Sequence, residues 1–158
     1  MAEKLLEEKL GDRLRSREVT VATAESCCGG LIAHRITNVS GSSAYFAGGV
    51  VSYSNDAKMK LLGVEASVLD AQGAVSESVA KQMADGAVKA FEATYAVSVT
   101  GVAGPTGGSD DKPVGTVWLG VTSPSGTRAE VKHFSGDRDA VKRQTADRAL
   151  ELLLEVIE

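Results

Sequence analysis

The sequence predicts an α/β fold: a three-layer α/β/α sandwich built on a mixed, mostly parallel sheet. Short β-rich runs alternate with amphipathic helical stretches along most of the chain. Near the C-terminus, two apolar runs flank Ser123-Pro124-Ser125-Gly126, a hairpin signal that adds antiparallel pairing. Aromatic residues are only 4% of the chain, and Ala, Val and Gly dominate instead, which suits thin side chains packed between helices and a sheet. The length of 158 residues is enough for one domain with a continuous core, and no repeat or linker divides residues 1–158.

Leu6, Leu10 and Leu14 recur at four-residue spacing beside Leu5, so the chain opens with an amphipathic helix. Val19 to Ala24 is a β-rich run that ends in the turn Glu25-Ser26-Cys27-Cys28-Gly29-Gly30, and Leu31 to Ile36 then reads as helix. Ala44 to Tyr53 reads as a second strand with a bend at Gly48-Gly49. Ser54 or Asn55 caps a short helix running to Leu62, and residues 65–72 form another. From Ser76 onward, Val79, Met83, Ala87, Ala90 and Phe91 share one helical face. Ala96 to Val99 is a buried strand, followed by the long loop Gly101 to Pro113. After the hairpin, Asp137 caps a last helix with an apolar stripe at Ala146, Ala149, Leu150, Leu153, Val156 and Ile157.

Composition narrows the function classes. Seventeen basic residues against twenty-one acidic give a net charge of −4 with no basic stripe, which argues against nucleic acid as a direct partner. Two adjacent cysteines, Cys27 and Cys28, build no disulfide framework, and the charged N-terminal stretch has no apolar signal segment. No run reaches the roughly 18 apolar residues of a membrane span. The expected location is the cytoplasm. A homo-oligomer is expected too, through packing of the apolar N-terminal helix on a partner copy.

Three places concentrate chemistry-bearing residues. Ser26 sits between a strand and a helix, where a side chain is exposed and free backbone N–H groups around Cys27 to Gly30 can hold an oxyanion. Its flanks, Ala24 and Cys28, do not make the hydrolase elbow G-x-S-x-G, and taken alone such a serine is more often an N-cap. Tyr53 closes the second strand, and Lys58 falls in the first turn of the next helix, where the dipole favours a neutral amine fit to act as a base. On its own, Lys58 also reads as an exposed helix lysine. The loop Thr100 to Gly108 is glycine-rich but lacks both the P-loop ending and the dinucleotide spacing. His34 and His133 are far apart and no zinc spacing exists, so neither metal nor cofactor is expected. Cys27 paired with His34 is a rival nucleophile, although a small buried residue is the better reading of Cys27.

Three blocks, TAESCCGGLIAHRITNVSGSSAYFAGGVVSYSNDAK, GAVSESVAKQMADGA and VSVTGVAGPTGGSDDKPVGTVWLGV, closely resemble the C-terminal domain of the competence/damage-inducible protein CinA. Stand-alone copies of that domain are known as nicotinamide-nucleotide amidases. The resemblance runs from about residue 5 to the final helix. It implies hydrolysis of the carboxamide of nicotinamide mononucleotide to nicotinate mononucleotide and ammonia, returning pyridine nucleotide to NAD synthesis. It also implies that Ser26 is the nucleophile, with Tyr53 and Lys58 as its catalytic partners. It matches Thr100 and Gly101 to a pocket-lining Thr-Gly and Arg143 to an arginine early in the last helix; Cys28, Gly29, Gly30, Phe46 and Gly48 complete the expected substrate-binding set. Within it, Phe46 stacks on the pyridinium ring, and Arg143 or the glycine loops hold the 5′-phosphate. The N-terminal domain of longer members, linked to pyrophosphatase activity, has no counterpart in these blocks. Position 28 departs from the family pattern, being Cys where Thr is usual, which bears on a pocket contact and leaves the nucleophile in place. The alternative readings are a non-catalytic nucleotide- or protein-binding module in competence or DNA repair, and a Ser-Lys amidase for another small amide.

Overall fold

A computed structural model of the chain describes residues 2–157. The elements run α1 (Leu6–Arg17), β1 (Val21–Glu25), α2 (Leu31–Thr37), a 3-10 turn at Ser42–Ala44, β2 (Phe46–Val51), α3 (Asn55–Leu62), α4 (Ala66–Gln72), α5 (Glu77–Phe91), β3 (Tyr95–Gly101), β4 (Thr116–Ser123), β5 (Gly126–His133) and α6 (Arg138–Val156). Strand order is β2-β1-β3-β4-β5. β1 pairs in parallel with β2 and β3, while β4 is antiparallel to both β3 and β5. Four of the five strands therefore point the same way, and β4 alone is reversed. The sheet is mixed and mostly parallel, as the alternation and the late hairpin predict.

Side-chain size divides the two faces of the sheet. Val21, Val97, Val99, Val117, Leu119 and Val121 point into a core shared with Leu10 and Leu14 of α1, Ile32 and Ile36 of α2, and Leu150 and Leu153 of α6. The alternate residues Ala22, Ala24 and Ala96 face Val79, Met83 and Ala87 of α5, with Leu62 and Leu69 behind them. Period-two alternation of bulky and small residues thus sets a thick layer on one side and a close-lying helix on the other. The apolar stripe of α1 is consumed inside this core, since Leu10 and Leu14 are fully buried. The expectation that this helix docks on a partner copy is corrected accordingly: its own domain covers that face.

Of the helix caps, Ser54 and Asp137 are those the sequence proposes, and the structure adds Ser76. Ser54 Oγ accepts from the Ala57 amide at the start of α3, Ser76 Oγ from Val79 at α5, and Asp137 from Ala140 at α6. The α3–α5 contact is the closest helix–helix approach that bears on the position of Lys58. A Cβ on Gly86 of α5 would strike the backbone of Leu62 at the end of α3, so only glycine lets the two helices lie this near. Gly86→Ala is expected to cost about 1–3 kcal/mol, as overpacking does. Thermal unfolding measures it, and an unchanged melting temperature would contradict the packing described.

Candidate active site

β1 and β3 are parallel neighbours, so their C-terminal ends open on the same edge of the sheet. At that edge lies a cleft of about 340 Å³, lined by Ser26, Cys27, Tyr53, Asn55, Lys58, Ala74, Val75, Thr100 to Gly104, Thr106, Gly107 and Arg138. Ser26 is the first residue past β1. Its amide donates to Val99 O at 3.1 Å, and its carbonyl accepts from the Gly29 amide at 3.1 Å, which fixes the turn.

Lys58 reaches Ser26 from α3. Its Nζ lies 3.0 Å from Ser26 Oγ and donates to Ser52 O at 2.7 Å. The side chain is 1% exposed, and no carboxylate pairs with it among the described residues. Burial holds the Lys58 amine below the ordinary lysine range, because desolvation penalises the ammonium. The exposed-helix reading of Lys58 is thereby corrected. The cause also differs from the dipole argument: loss of water dominates. A neutral amine has a lone pair, and one hydrogen-bond length from a serine hydroxyl it can accept that proton.

Tyr53 is 62% exposed, and its hydroxyl accepts from Arg138 Nη2 at 3.1 Å. It contacts neither Ser26 nor Lys58 through a hydrogen bond. Arg138 Nη1 also donates to Gly104 O at 2.8 Å, so the guanidinium bridges the tyrosine to the 101–113 loop across the cleft mouth. Thr100 Oγ1 donates to Ala74 O at 2.9 Å, closing the floor. Gly101 is required beside it, since a Cβ there would meet Val117 Cγ2 at 2.7 Å and Thr116 O at 2.8 Å.

The remaining binding candidates fall into two groups. Gly29 and Gly30 shape the serine turn, both with positive φ (60° and 106°). Cys28 is buried beneath it, with Sγ against Lys142 O at 3.6 Å. Hydrogen bonding to Cys27, together with burial, pushes the Cys28 thiol well above the usual range, so it stays protonated. Phe46, Gly48 and Arg143 lie elsewhere. Phe46 pairs with Val21 at the opposite end of β1 from Ser26, five residues or about 16 Å away, and packs against the core. Gly48 gives space to the Phe91 ring. Arg143 is exposed and bonds Asp139 one turn back at 2.8 Å. Five residues along a helix turn a side chain by about 140°, so Arg138 and Arg143 cannot share the cleft face. The structure therefore does not bring Phe46 and Arg143 into this cleft, and Arg138 stands at its mouth instead. The sequence holds a signal for it: β5 runs in the direction of β1, so the helix after it must begin on the cleft edge.

The oxyanion donors are fewer than the turn promises. The Gly29 amide is spent on Ser26 O, Leu31 on Cys28 O, and Gly30, Ile32 and Ala33 on the Glu25 carboxylate. Within the turn, only the Cys27 and Cys28 amides have no acceptor among the described residues. His34 sits on the exposed face of α2 next to Asn38, so it makes no pair with Cys27. No group of three or more His, Cys, Asp or Glu side chains able to hold a metal occurs among the described residues. No helix among them is long and apolar enough to cross a membrane.

Comparison with known proteins establishes the family and the fold. The chain matches the CinA C-terminal domain model over residues 3–157. It is 53% identical over 151 residues to the nicotinamide-nucleotide amidohydrolase PncC of Escherichia coli K12, covering 94% of this chain and 90% of that protein. A putative competence-damage inducible protein of Moorella thermoacetica is 50% identical over 148 residues, but this chain spans only 36% of it. Among solved structures, the competence/damage inducible protein CihA from Agrobacterium tumefaciens superposes with a TM-score of 0.91 at 40% identity, over 100% of both chains. A CinA superfamily protein from Escherichia coli gives 0.92 at 36% identity, over 95% of this chain and 87% of that one. The chain belongs to the CinA C-terminal domain family.

Proposed function

We propose that this chain is a nicotinamide-nucleotide amidohydrolase, converting nicotinamide mononucleotide and water to nicotinate mononucleotide and ammonia. The observation that carries the proposal is the Lys58 Nζ–Ser26 Oγ contact of 3.0 Å at the floor of the cleft. The 53% identity to an amidohydrolase of that name, across nearly the full length of both chains, supports the substrate. A binding module has no need to bury an amine against a serine, so the non-catalytic alternative is set aside.

Chemistry proceeds through an acyl-enzyme. Lys58 takes the Ser26 proton as Oγ attacks the carboxamide carbon, and the Cys27 and Cys28 amides stabilise the oxyanion. The ammonium on Lys58 then protonates the departing amine, so nitrogen leaves as ammonia rather than as its anion. Water, deprotonated by the regenerated Lys58 amine, attacks the ester carbonyl and returns Ser26 as an alcohol. Lys58 acts directly in each transfer, because Tyr53 does not stand between it and the serine.

Tyr53 and Arg138 serve the substrate. The Tyr53 ring flanks the cleft mouth and can face a pyridinium, a cation–π arrangement. Arg138 supplies the charge for the 5′-phosphate. The enzyme is read as cytoplasmic, in keeping with two buried free thiols. It is also read as a homo-oligomer, for which Leu5, Val51, Leu61, Val114 and Val131 are exposed aliphatic side chains.

Ser26→Ala and Lys58→Ala are each expected to lower ammonia release from nicotinamide mononucleotide by about 10⁴-fold or more, as loss of one member of a catalytic unit does. A folded Ser26→Ala protein retaining activity would remove the serine from the mechanism. Arg138→Ala is expected to weaken binding of nicotinamide mononucleotide by about 10–100-fold, the worth of one charge-assisted contact. The phosphate-free riboside should be little affected, and Arg143→Ala should change neither. Equal losses for substrates with and without the phosphate would overturn the role of Arg138.

A further inference from the structure

We infer that Glu25 is a positioning residue for catalysis: its buried carboxylate fastens the serine turn to the start of α2, while its main-chain carbonyl holds the lysine loop, so that the shape of this turn sets the Ser26–Lys58 distance. The inference rests on Ser26 as nucleophile and Lys58 as base. Glu25 is 1% exposed, although a carboxylate is among the most costly groups to bury. It touches neither Ser26 Oγ nor Lys58 Nζ through a hydrogen bond, so its burial needs another reason.

The contacts supply one. Oε1 accepts from the Gly30 amide at 3.2 Å and the Ile32 amide at 2.9 Å, and Oε2 accepts from the Ala33 amide at 3.0 Å. Helix α2 has only seven residues and begins at Gly30, which has no side chain to cap it. Glu25 caps it from the other end of the turn, with its charge at the positive end of the helix dipole. The loop of residues 26–30 is thereby closed on itself: strand end and helix start are bound through one carboxylate. Burial pushes the Glu25 carboxyl up, and the three amides oppose that shift by favouring the charged form.

The main chain of the same residue holds the other half of the site. Glu25 O accepts from the Ser52 amide at 2.8 Å and from Ser52 Oγ at 3.4 Å. Ser52 O in turn accepts from Lys58 Nζ at 2.7 Å. The path from serine to base therefore runs through two buried residues, Glu25 and Ser52, with no solvent-exposed link. The cap has a second consequence. By consuming the Gly30, Ile32 and Ala33 amides, Glu25 leaves only those of Cys27 and Cys28 to face developing charge, which fixes where the oxyanion sits.

Glu25→Gln tests this. The variant keeps the shape but sets an NH₂ group against at least one amide that now donates to oxygen. With both proteins fully folded at the assay temperature, kcat on nicotinamide mononucleotide is expected to fall about 10²-fold, the cost of a small misplacement of reacting groups. KM should stay within about threefold, because Glu25 does not line the cleft. A kcat within about twofold of the unaltered enzyme, or a loss expressed in KM alone, would overturn the inference. The unaltered enzyme and Ser26→Ala are assayed in parallel: if the former is inactive or the latter active, it is the assignment of nucleophile and base that has failed. In that case, or if Glu25→Gln does not fold, amide hydrogen exchange on the unaltered protein decides. Gly30, Ile32 and Ala33, positions that exchange quickly in an uncapped helix start, should be protected as strongly as the central strands, and loop-like exchange would overturn the placement.

Discussion

The structure depends on the burial of one amine. An ammonium group taken from water without a counter-ion is among the least favourable things a fold can contain, and burial of that kind lowers the pKa of a lysine. Lys58 is placed so, 1% exposed, with a serine hydroxyl and a backbone carbonyl as its side-chain hydrogen-bond partners among the described residues. Much of the surrounding architecture serves to keep it there. Gly86 lets α3 sit against α5, Ser54 caps α3 one turn before the lysine, and Ser52 offers a carbonyl that a neutral amine can satisfy. In the proposed mechanism this amine serves as a base with neither histidine nor carboxylate beside it.

Topology explains why the parts meet at this edge. From β1 the chain passes through α2 to β2 on one side, then returns through α3, α4 and α5 to β3 on the other. The first crossover leaves β1 for β2 and the second carries the chain from β2 back past β1 to β3, which opens a crevice beyond the carboxyl ends of β1 and β3, the usual ligand position in open α/β sheets. Ser26 comes directly after β1 and Thr100 lies near the end of β3, so both fall at the crevice as a matter of connectivity. The hairpin of β4 and β5 adds the last component. Because β4 reverses the chain and β5 reverses it again, α6 starts beside the crevice and brings Arg138 to its mouth.

The local elements are legible in the sequence because their signals are local. The four-residue leucine spacing of α1, the caps at Ser54 and Asp137, and the hairpin turn are each settled within a few residues, and each forms where expected. Ser26, Tyr53, Lys58, Thr100 and Gly101 are identifiable as candidates, and the cleft gathers all five. What sequence does not show is direction and depth. Phe46 shares a strand with the approach to Tyr53, yet parallel pairing sends it to the far end of the sheet. Arg143 and Arg138 lie on one short stretch, and only the helical phase relative to the cleft separates them. Lys58 reads as a surface lysine from its neighbours in sequence, since its burial comes from Ser26 and Ser52 packed against it. Glu25 likewise gives no sign in its spacing that it caps a helix five residues on.

The central claim is that Lys58 is the base because burial keeps it neutral, and its own titration tests this most directly. The sign comes from the shift: the lowered value makes the amine available at a pH where an ordinary lysine is still an ammonium, and acid removes it. The measurement is an NMR titration of the Lys58 side chain set beside the pH dependence of kcat/KM for nicotinamide mononucleotide. The account predicts that Lys58 titrates below the ordinary lysine value of 10.5, and that kcat/KM rises with pH through that same midpoint. A Lys58 that titrates like a surface lysine, while activity at neutral pH is full, would contradict it.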